Sequence, residues 1–192
     1  MELRQLEFPV LQLRRGDGGA TSPFRRFMGR LERLDALDTP VNAARPLAGR
    51  LVQNERLRNV LHGEATGIPL HVIFTDAPFG AWFMAMFLDL YSDTGSQRAA
   101  TRLVGFGVIT AAPTALTGWA EWALAGRQTQ RIGVVHAGLN ATAVLIFAGS
   151  WAARLRGRRR LGVRLARFGA IVLVAGGFMG GYLARARRGG SS

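Results

Sequence analysis

The chain has 192 residues, contains no cysteine, and carries a formal net charge of +13. Its basic side chains are arginines, and it has no lysine. The absence of cysteine excludes disulfides, thiolate zinc sites, cysteine-ligated iron–sulfur clusters and cysteine nucleophiles. A chain this basic could bind nucleic acid, but its arginines flank apolar stretches and no nucleic-acid module is recognisable. This pattern favours contact with anionic lipid headgroups and no nucleic-acid partner.

Residues 1–66 form an arginine-rich N-terminal segment in which two amphipathic helices are predicted. A proline directly after a Ser or Thr is typical of the start of a helix, and such pairs begin at Ser22 and Thr39. Apolar residues then recur at helical spacing, which predicts helices over about residues 23–37 and 40–62. The first helix fits a position at the membrane surface and, equally, packing as a soluble helix on its neighbour.

Four apolar stretches of about 20 residues follow, and each is long enough to cross a ~30 Å hydrocarbon layer as a helix. They cover about residues 68–90, 103–125, 132–153 and 163–183. Only helices and closed barrels satisfy every backbone polar group in lipid, and strand-type alternation is absent. The predicted fold class is therefore all-α, a four-helix transmembrane bundle preceded by the two amphipathic helices. The transmembrane domain covers residues 67–185, and a flexible tail covers residues 186–192.

Small residues in the apolar stretches predict close helix packing. The fourth stretch contains two overlapping Gly-x-x-x-Gly pairs, Gly176 with Gly180 and Gly177 with Gly181. Such pairs let helix backbones approach each other in lipid. Because the connections between stretches are short, consecutive helices are expected to be antiparallel neighbours within one chain. Packing between two copies, and so a homo-oligomer, is the alternative.

The arginines give no clear orientation, because their numbers at the two predicted membrane faces are nearly equal. With four spans, both termini lie on the same side. The polar N-terminal segment lacks a recognisable translocation signal, so cytoplasmic termini are predicted. The predicted location is the bacterial cytoplasmic (inner) membrane, as a multi-pass protein.

Antiparallel threading places several polar side chains in one leaflet, on the side of the termini. They are His71, Asp76, Glu121, His136, Asn140 and Tyr182. Polar groups at membrane depth are costly to expose to lipid and usually face the bundle interior. We therefore predict a buried polar cluster of four side chains, Asp76, Glu121, Asn140 and Tyr182.

The two histidines of this set lie on predicted facing helices and are candidate ligands for a b-type haem. Contact with water or headgroups at the interface would also explain His71. A hydrogen bond to Asp76 or to a backbone carbonyl would also explain His136. The carboxylate of Asp76 also raises the hypothesis of proton or solute passage. Asp89, near the opposite face, is interpreted as an interface residue.

Several stretches of the sequence together resemble a known family. They are Gly67-Ile68-Pro69-Leu70-His71, Thr75-Asp76-Ala77-Pro78-Phe79-Gly80, Ala111-Ala112-Pro113-Thr114-Ala115-Leu116-Thr117-Gly118, Val135-His136-Ala137 and Gly176-Gly177-x-x-Gly180-Gly181. In this order they are similar to the uncharacterised bacterial membrane family called domain of unknown function 2231, over roughly residues 60–185. The resemblance implies a four-helix integral membrane domain without a settled activity. Some relatives are fused to Rieske-type iron–sulfur domains, which points to redox surroundings.

The chain departs from the family pattern at positions where relatives often carry His or Pro. Ile68 stands at the first His and Val72 at the second Pro of the family's His-Pro-x-His-Pro pattern. Tyr182 stands where the family often has His after two glycines. If those histidines ligate a metal or haem in relatives, that role is lost here.

The expected function is that of a structural or interaction subunit in the membrane. No glycine-rich phosphate loop, serine elbow or His-Glu-x-x-His motif occurs, so no catalytic residue and no metal site are predicted. The alternative is a haem-binding or redox-associated subunit that uses His71 and His136 and works with a membrane redox or scaffold partner. A small proton or solute transporter is the weaker alternative.

Overall fold

The computed structural model describes residues 22–62 and 70–189, and all of their regular structure is helical. Three short helices come first: α1 (Pro23–Glu32), α2 (Asp38–Arg50) and α3 (Glu55–His62), with a 3₁₀ turn at Asp35–Leu37. Four longer helices follow: α4 (Leu70–Leu88), α5 (Thr94–Ala123), α6 (Arg127–Leu155) and α7 (Arg159–Gly189). The all-α class is therefore confirmed for the described residues.

In residues 22–62, the described part of the N-terminal segment, there are three α-helices where two were predicted. The first ends at Glu32 because Leu34 takes an extended conformation, with φ −82° and ψ 97°. The predicted second helix is interrupted after Arg50, and α3 begins after Asn54. Asn is a favoured residue type immediately before a helix, and it marks a start that apolar periodicity alone does not show.

Among the residues that the structure describes, three helices are long and apolar enough to cross a membrane, where four such spans were predicted. They are α5, α6 and residues 159–185 of α7. In α4 the apolar stretch among the described residues is Ile73–Leu88, which is shorter than a typical span. The predicted start of the first span, residues 68–69, lies outside the described residues. At the other end of the chain, α7 continues to Gly189, so part of the predicted flexible tail is helical.

The long helices pack side by side: α4 along α5, α6 along α7, α5 also against α6, and α4 also against α7. In the centre, the rings of Trp82 and Phe147 stack, with centroids 4.1 Å apart and planes inclined by 2°. This contact joins α4 to α6 across the group. Gly105 and Gly107 of α5 are buried beneath the rings of Trp151 and Trp82, where a Cβ atom would collide with the indoles.

The N-terminal helices pack on the end of this group where α5 ends and α6 begins. Met28 of α1 is fully buried and shares an apolar cluster with Ile132 of α6 and Met179 of α7. Val41 of α2 is buried in a second cluster with Trp122. The first helix thus packs on its neighbours and also exposes the aromatic side chains of Phe24 and Phe27. Its position at the membrane surface stays a prediction.

Candidate functional site

His136 links α6 to α7 through both of its ring nitrogens. Its Nδ1 lies 2.9 Å from the carbonyl oxygen of Gly176. A carbonyl only accepts hydrogen bonds, so Nδ1 carries the proton, and Nε2 accepts from Nδ2 of Asn140 at 3.0 Å. Gly180 makes room for the ring, because a Cβ atom there would lie 3.0 Å from Cε1 of the histidine.

His71 makes the same kind of link between α4 and α5. Its Nδ1 donates to the carbonyl oxygen of Thr114 at 3.0 Å, and its ring lies over Gly118. The hydroxyl of Thr114 donates back to the carbonyl of Phe74 at 2.9 Å. The tautomer with Nδ1 protonated leaves a lone pair on Nε2, and within the described part of the chain no hydrogen-bond donor meets that nitrogen.

The two histidines occupy matching positions in two similar helical hairpins, α4–α5 and α6–α7. Trp82 follows His71 at the same sequence distance as Phe147 follows His136. Each of these four rings packs over a glycine of the second helix in its own hairpin. For His71, Trp82, His136 and Phe147, these glycines are Gly118, Gly107, Gly180 and Gly169, respectively. The hairpins therefore repeat one packing arrangement.

The repeat is visible in the sequence of the second helices once the structure aligns them. Both contain the pattern Arg-x-x-x-Arg-Leu-x-x-Phe-Gly-x-Ile. In α5 the matching residues are Arg98, Arg102, Leu103, Phe106, Gly107 and Ile109, and in α7 they are Arg160, Arg164, Leu165, Phe168, Gly169 and Ile171. In the first helices, α4 and α6, the histidine is the shared residue, which explains why sequence analysis by hydropathy missed the repeat.

At the opposite end from the histidines, Asp89 and Arg154 occupy matching positions of the two hairpins and form a buried ion pair. Arg154 donates from Nη1 and Nη2 to the two carboxylate oxygens of Asp89, at 2.7 and 2.5 Å. Both side chains are only 2% exposed. Arg159 makes a longer contact of 3.9 Å with the same carboxylate. Asp89 is thus a buried partner of arginine at the end of α4.

A model of the family described as "Predicted membrane protein (DUF2231)" matches residues 67–191. The chain belongs to this family. The match confirms the resemblance to domain of unknown function 2231 and places both hairpins within the family's domain. No curated protein and no solved structure matches the chain.

The N-terminal helices are attached to the DUF2231 domain by charged groups that sequence analysis did not single out. Arg131 of α6 donates to both carboxylate oxygens of Asp38 at 2.8 Å and to Asp35 at 2.5 Å. Arg127 adds a contact of 3.0 Å with Asp38. The hydrogen bond from Arg131, assisted by Arg127, lowers the pKa of Asp38 from 3.8 to about 2 despite partial desolvation.

The four residues of the predicted polar cluster have different surroundings. Asn140 bonds to the histidine one turn before it on α6. Tyr182 donates to Glu32 of α1 at 2.9 Å, and Glu121 is buried on α5. Asp76 differs from the expectation, because its side chain is exposed on the outer face of α4. Its place on the helix, five residues after His71, turns it away from α5.

The site offers limited means of holding a metal or haem. Within the described ranges, no group of three or more His, Asp or Glu side chains is placed to hold a metal ion. His136 would have to give up the hydrogen bond from Asn140 before its Nε2 could act as a ligand. His71 already has the arrangement of many ligating histidines, with Nδ1–H on a backbone carbonyl and Nε2 as the remaining lone pair.

Proposed function

We propose that this protein is a non-catalytic interaction subunit of the bacterial inner membrane, and that α4 binds a partner helix within the bilayer. In this proposal α4–α7 cross the membrane as a four-helix bundle. The 19 residues of α4 give it a length of about 28 Å, close to the ~30 Å hydrocarbon thickness. The N-terminal helices would lie at the cytoplasmic face, next to anionic headgroups.

The observation that carries the proposal is the exposed carboxylate of Asp76 on the outer face of α4. It lies on one helical stripe with exposed Gly80 and Phe83. A charged residue near the bilayer centre costs roughly 2.5–3.5 kcal/mol in insertion experiments. The matching position on α6 is Ala141, so the other hairpin carries no such cost. A partner that donates hydrogen bonds to Asp76 would offset it.

The stripe also suggests the chemistry of that partner. A Cβ atom on Gly80 would meet nothing within 4 Å, so a neighbouring backbone can approach closely beside Asp76. The partner helix would place a basic or hydroxyl side chain opposite the carboxylate. A second copy of this chain fits less well, because a symmetric contact centred on this stripe would bring two Asp76 carboxylates together.

Site-specific photo-crosslinking in native membranes tests the proposal. A photoreactive residue at Phe83, which is 45% exposed on α4, should give a discrete protein adduct. The matched control is Leu145 on α6, which is 72% exposed and should react mainly with lipid. Asp76→Asn should abolish the adduct from position 83 without lowering thermal stability in detergent. Equal adducts from both positions, or an adduct indifferent to Asp76, would refute the proposed interface.

The absence of cysteine makes the proposed orientation simple to test. Single cysteines at Ser92, between α4 and α5, and at Gly126, between α5 and α6, should lie on opposite sides of the membrane. With cytoplasmic termini, a membrane-impermeant maleimide added to whole cells labels position 92 and not position 126. The reverse pattern would show that the termini face outward.

The haem alternative is favoured by one observation, the lone pair on Nε2 of His71. Protein purified from haem-replete membranes should show a Soret band that shifts on reduction with dithionite if this alternative holds. His71→Ala should remove the band, whereas His136→Ala should leave it. A featureless spectrum at stoichiometric protein rejects the haem alternative. Proton or solute flux that depends on Asp76 in vesicles would instead support the transporter alternative.

A further inference from the structure

The two copies of the repeated pattern share exposed residues as well as packed ones. Gly107 and Gly169 are shared because rings lie over them. The shared leucines, Leu103 and Leu165, are partly buried. Packing does not explain the remaining shared residues, which are exposed on both helices. These are Arg98, Arg102, Phe106 and Ile109 of α5, and Arg160, Arg164, Phe168 and Ile171 of α7. The aromatic and aliphatic members are 51% and 63% exposed on α5, and 57% and 69% exposed on α7.

Their spacing places each set on one stripe of its helix, with the charges at one end. Residues four apart are neighbours on a helix surface, so Arg98 lies beside Arg102, and Phe106 follows one turn further. Ile109 lies about 10 Å along the axis from Arg102, at a rise of 1.5 Å per residue. Each stripe therefore has two guanidinium groups at the helix start and an apolar surface directly below them.

The arginines of the stripes are available for an external anion. Elsewhere in the described structure, Arg131 and Arg154 are neutralised by aspartates. Among the described residues, none of the four stripe arginines has an acidic partner. Arg160 and Arg164 also line a shallow, open depression at the turn between α6 and α7.

We propose that each stripe binds one anionic phospholipid, so that the chain holds two such lipids at equivalent positions on α5 and α7. The guanidinium pair would bind the phosphate through charge-assisted hydrogen bonds, and an acyl chain would lie along the Phe and Ile. The stripes are on different helices, so the two sites fill independently. This inference rests on the proposed placement of α5 and α7 across the bilayer.

Native mass spectrometry of the full chain tests the proposal, with phosphatidylglycerol and phosphatidylcholine as the added lipids. The wild-type protein should retain two molecules of phosphatidylglycerol in preference to phosphatidylcholine. Arg98→Gln with Arg102→Gln should leave one bound molecule, and adding the same changes at Arg160 and Arg164 should leave none. Affinity at each altered site should fall about 25-fold, since each of the two basic residues near a membrane surface contributes roughly fivefold.

The matched control removes the same charge at the other end of the molecule, with Arg45→Gln and Arg50→Gln in α2. It should still retain two lipids. Arg98→Lys with Arg102→Lys keeps the charge and should restore most of the lost binding. Loss of lipid that follows total charge regardless of position, or a wild-type stoichiometry other than two, would overturn the proposal. Failure of the bilayer placement would appear separately, in the cysteine labelling described above.

Discussion

The hairpins α4–α5 and α6–α7 share a packing plan but differ in how their polar groups are used. In both, a histidine donates to a carbonyl of the second helix and lies over a glycine. In α6, the residue one turn after the histidine is Asn140, which occupies the second ring nitrogen. In α4 that position is Thr75, whose hydroxyl donates instead to the carbonyl of His71 at 2.6 Å.

The comparison teaches that the histidine of one hairpin is closed to a further ligand, whereas the histidine of the other hairpin is open. The α6–α7 hairpin satisfies its histidine internally, and Ala141 stands on its outer face. The α4–α5 hairpin leaves a lone pair on His71 and places Asp76 outside. Contacts with a partner helix are therefore expected on the α4 side, while the polar groups of α6 serve the stability of the fold and the attachment of the N-terminal helices.

The largest effect is expected where the hairpins meet, at the ion pair of Asp89 with Arg154. Asp89→Ala would leave a buried guanidinium without its carboxylate and should cost about 3–5 kcal/mol of unfolding free energy. Unfolding in detergent micelles, followed by circular dichroism, measures the loss. Replacing both residues by leucine should recover much of it. The control is Asp93→Ala, an exposed helix cap, and equal losses for the two aspartates would contradict a buried pair.

A graded effect is expected at the glycines beneath the rings. Gly107→Ala drives a Cβ atom into the ring of Trp82 and should cost about 1–3 kcal/mol. Gly169→Ala should cost less, since its Cβ would lie 3.2 Å from Phe147. Gly181→Ala meets open space and should be neutral or slightly stabilising. Equal melting temperatures for all three variants would show that ring packing does not set the order.

A smaller difference is expected between the two histidines. His136→Ala removes hydrogen bonds to Gly176 and Asn140, whereas His71→Ala removes the bond to Thr114. At about 1 kcal/mol per hydrogen bond, the α6 variant should be less stable by roughly that amount. Parallel denaturation in the same detergent tests the order. Greater loss from the α4 variant would reverse the assignment of the closed hairpin.

The smallest effect is expected at Asp38, whose partners Arg127 and Arg131 belong to α6 alone. Its pKa is about 2 in the folded chain against an ordinary 3.8, so its charge stabilises the fold above pH 3.8. That contribution is lost as the pH falls toward 2. Asp38→Asn should melt below the wild type at pH 6, and the difference should vanish near pH 2. A difference unchanged by pH would assign the effect to something other than the carboxylate charge.

Hydropathy predicted the long helices because a membrane-length apolar run has few other stable conformations. It did not predict the break after Glu32, which is followed by Asp35 and Asp38 binding Arg131, a residue distant in sequence. The charge of Asp89 indicated a membrane interface, but its burial depends on Arg154 in another helix. Asp76 was expected inside the bundle because polar residues in a membrane usually avoid lipid. Contact with a partner helix would keep Asp76 from lipid equally well, so the sequence alone does not decide between the two positions.

By itself, the sequence determined an all-α membrane protein of a recognisable family, since apolar length and composition act locally. Only the tertiary structure decided which polar groups are paired and which remain available. A hydrogen bond of His136 to Gly176, or an ion pair of Arg154 with Asp89, depends on which helix faces meet. Those faces are selected by rings lying over glycines, a contact between residues far apart in the chain.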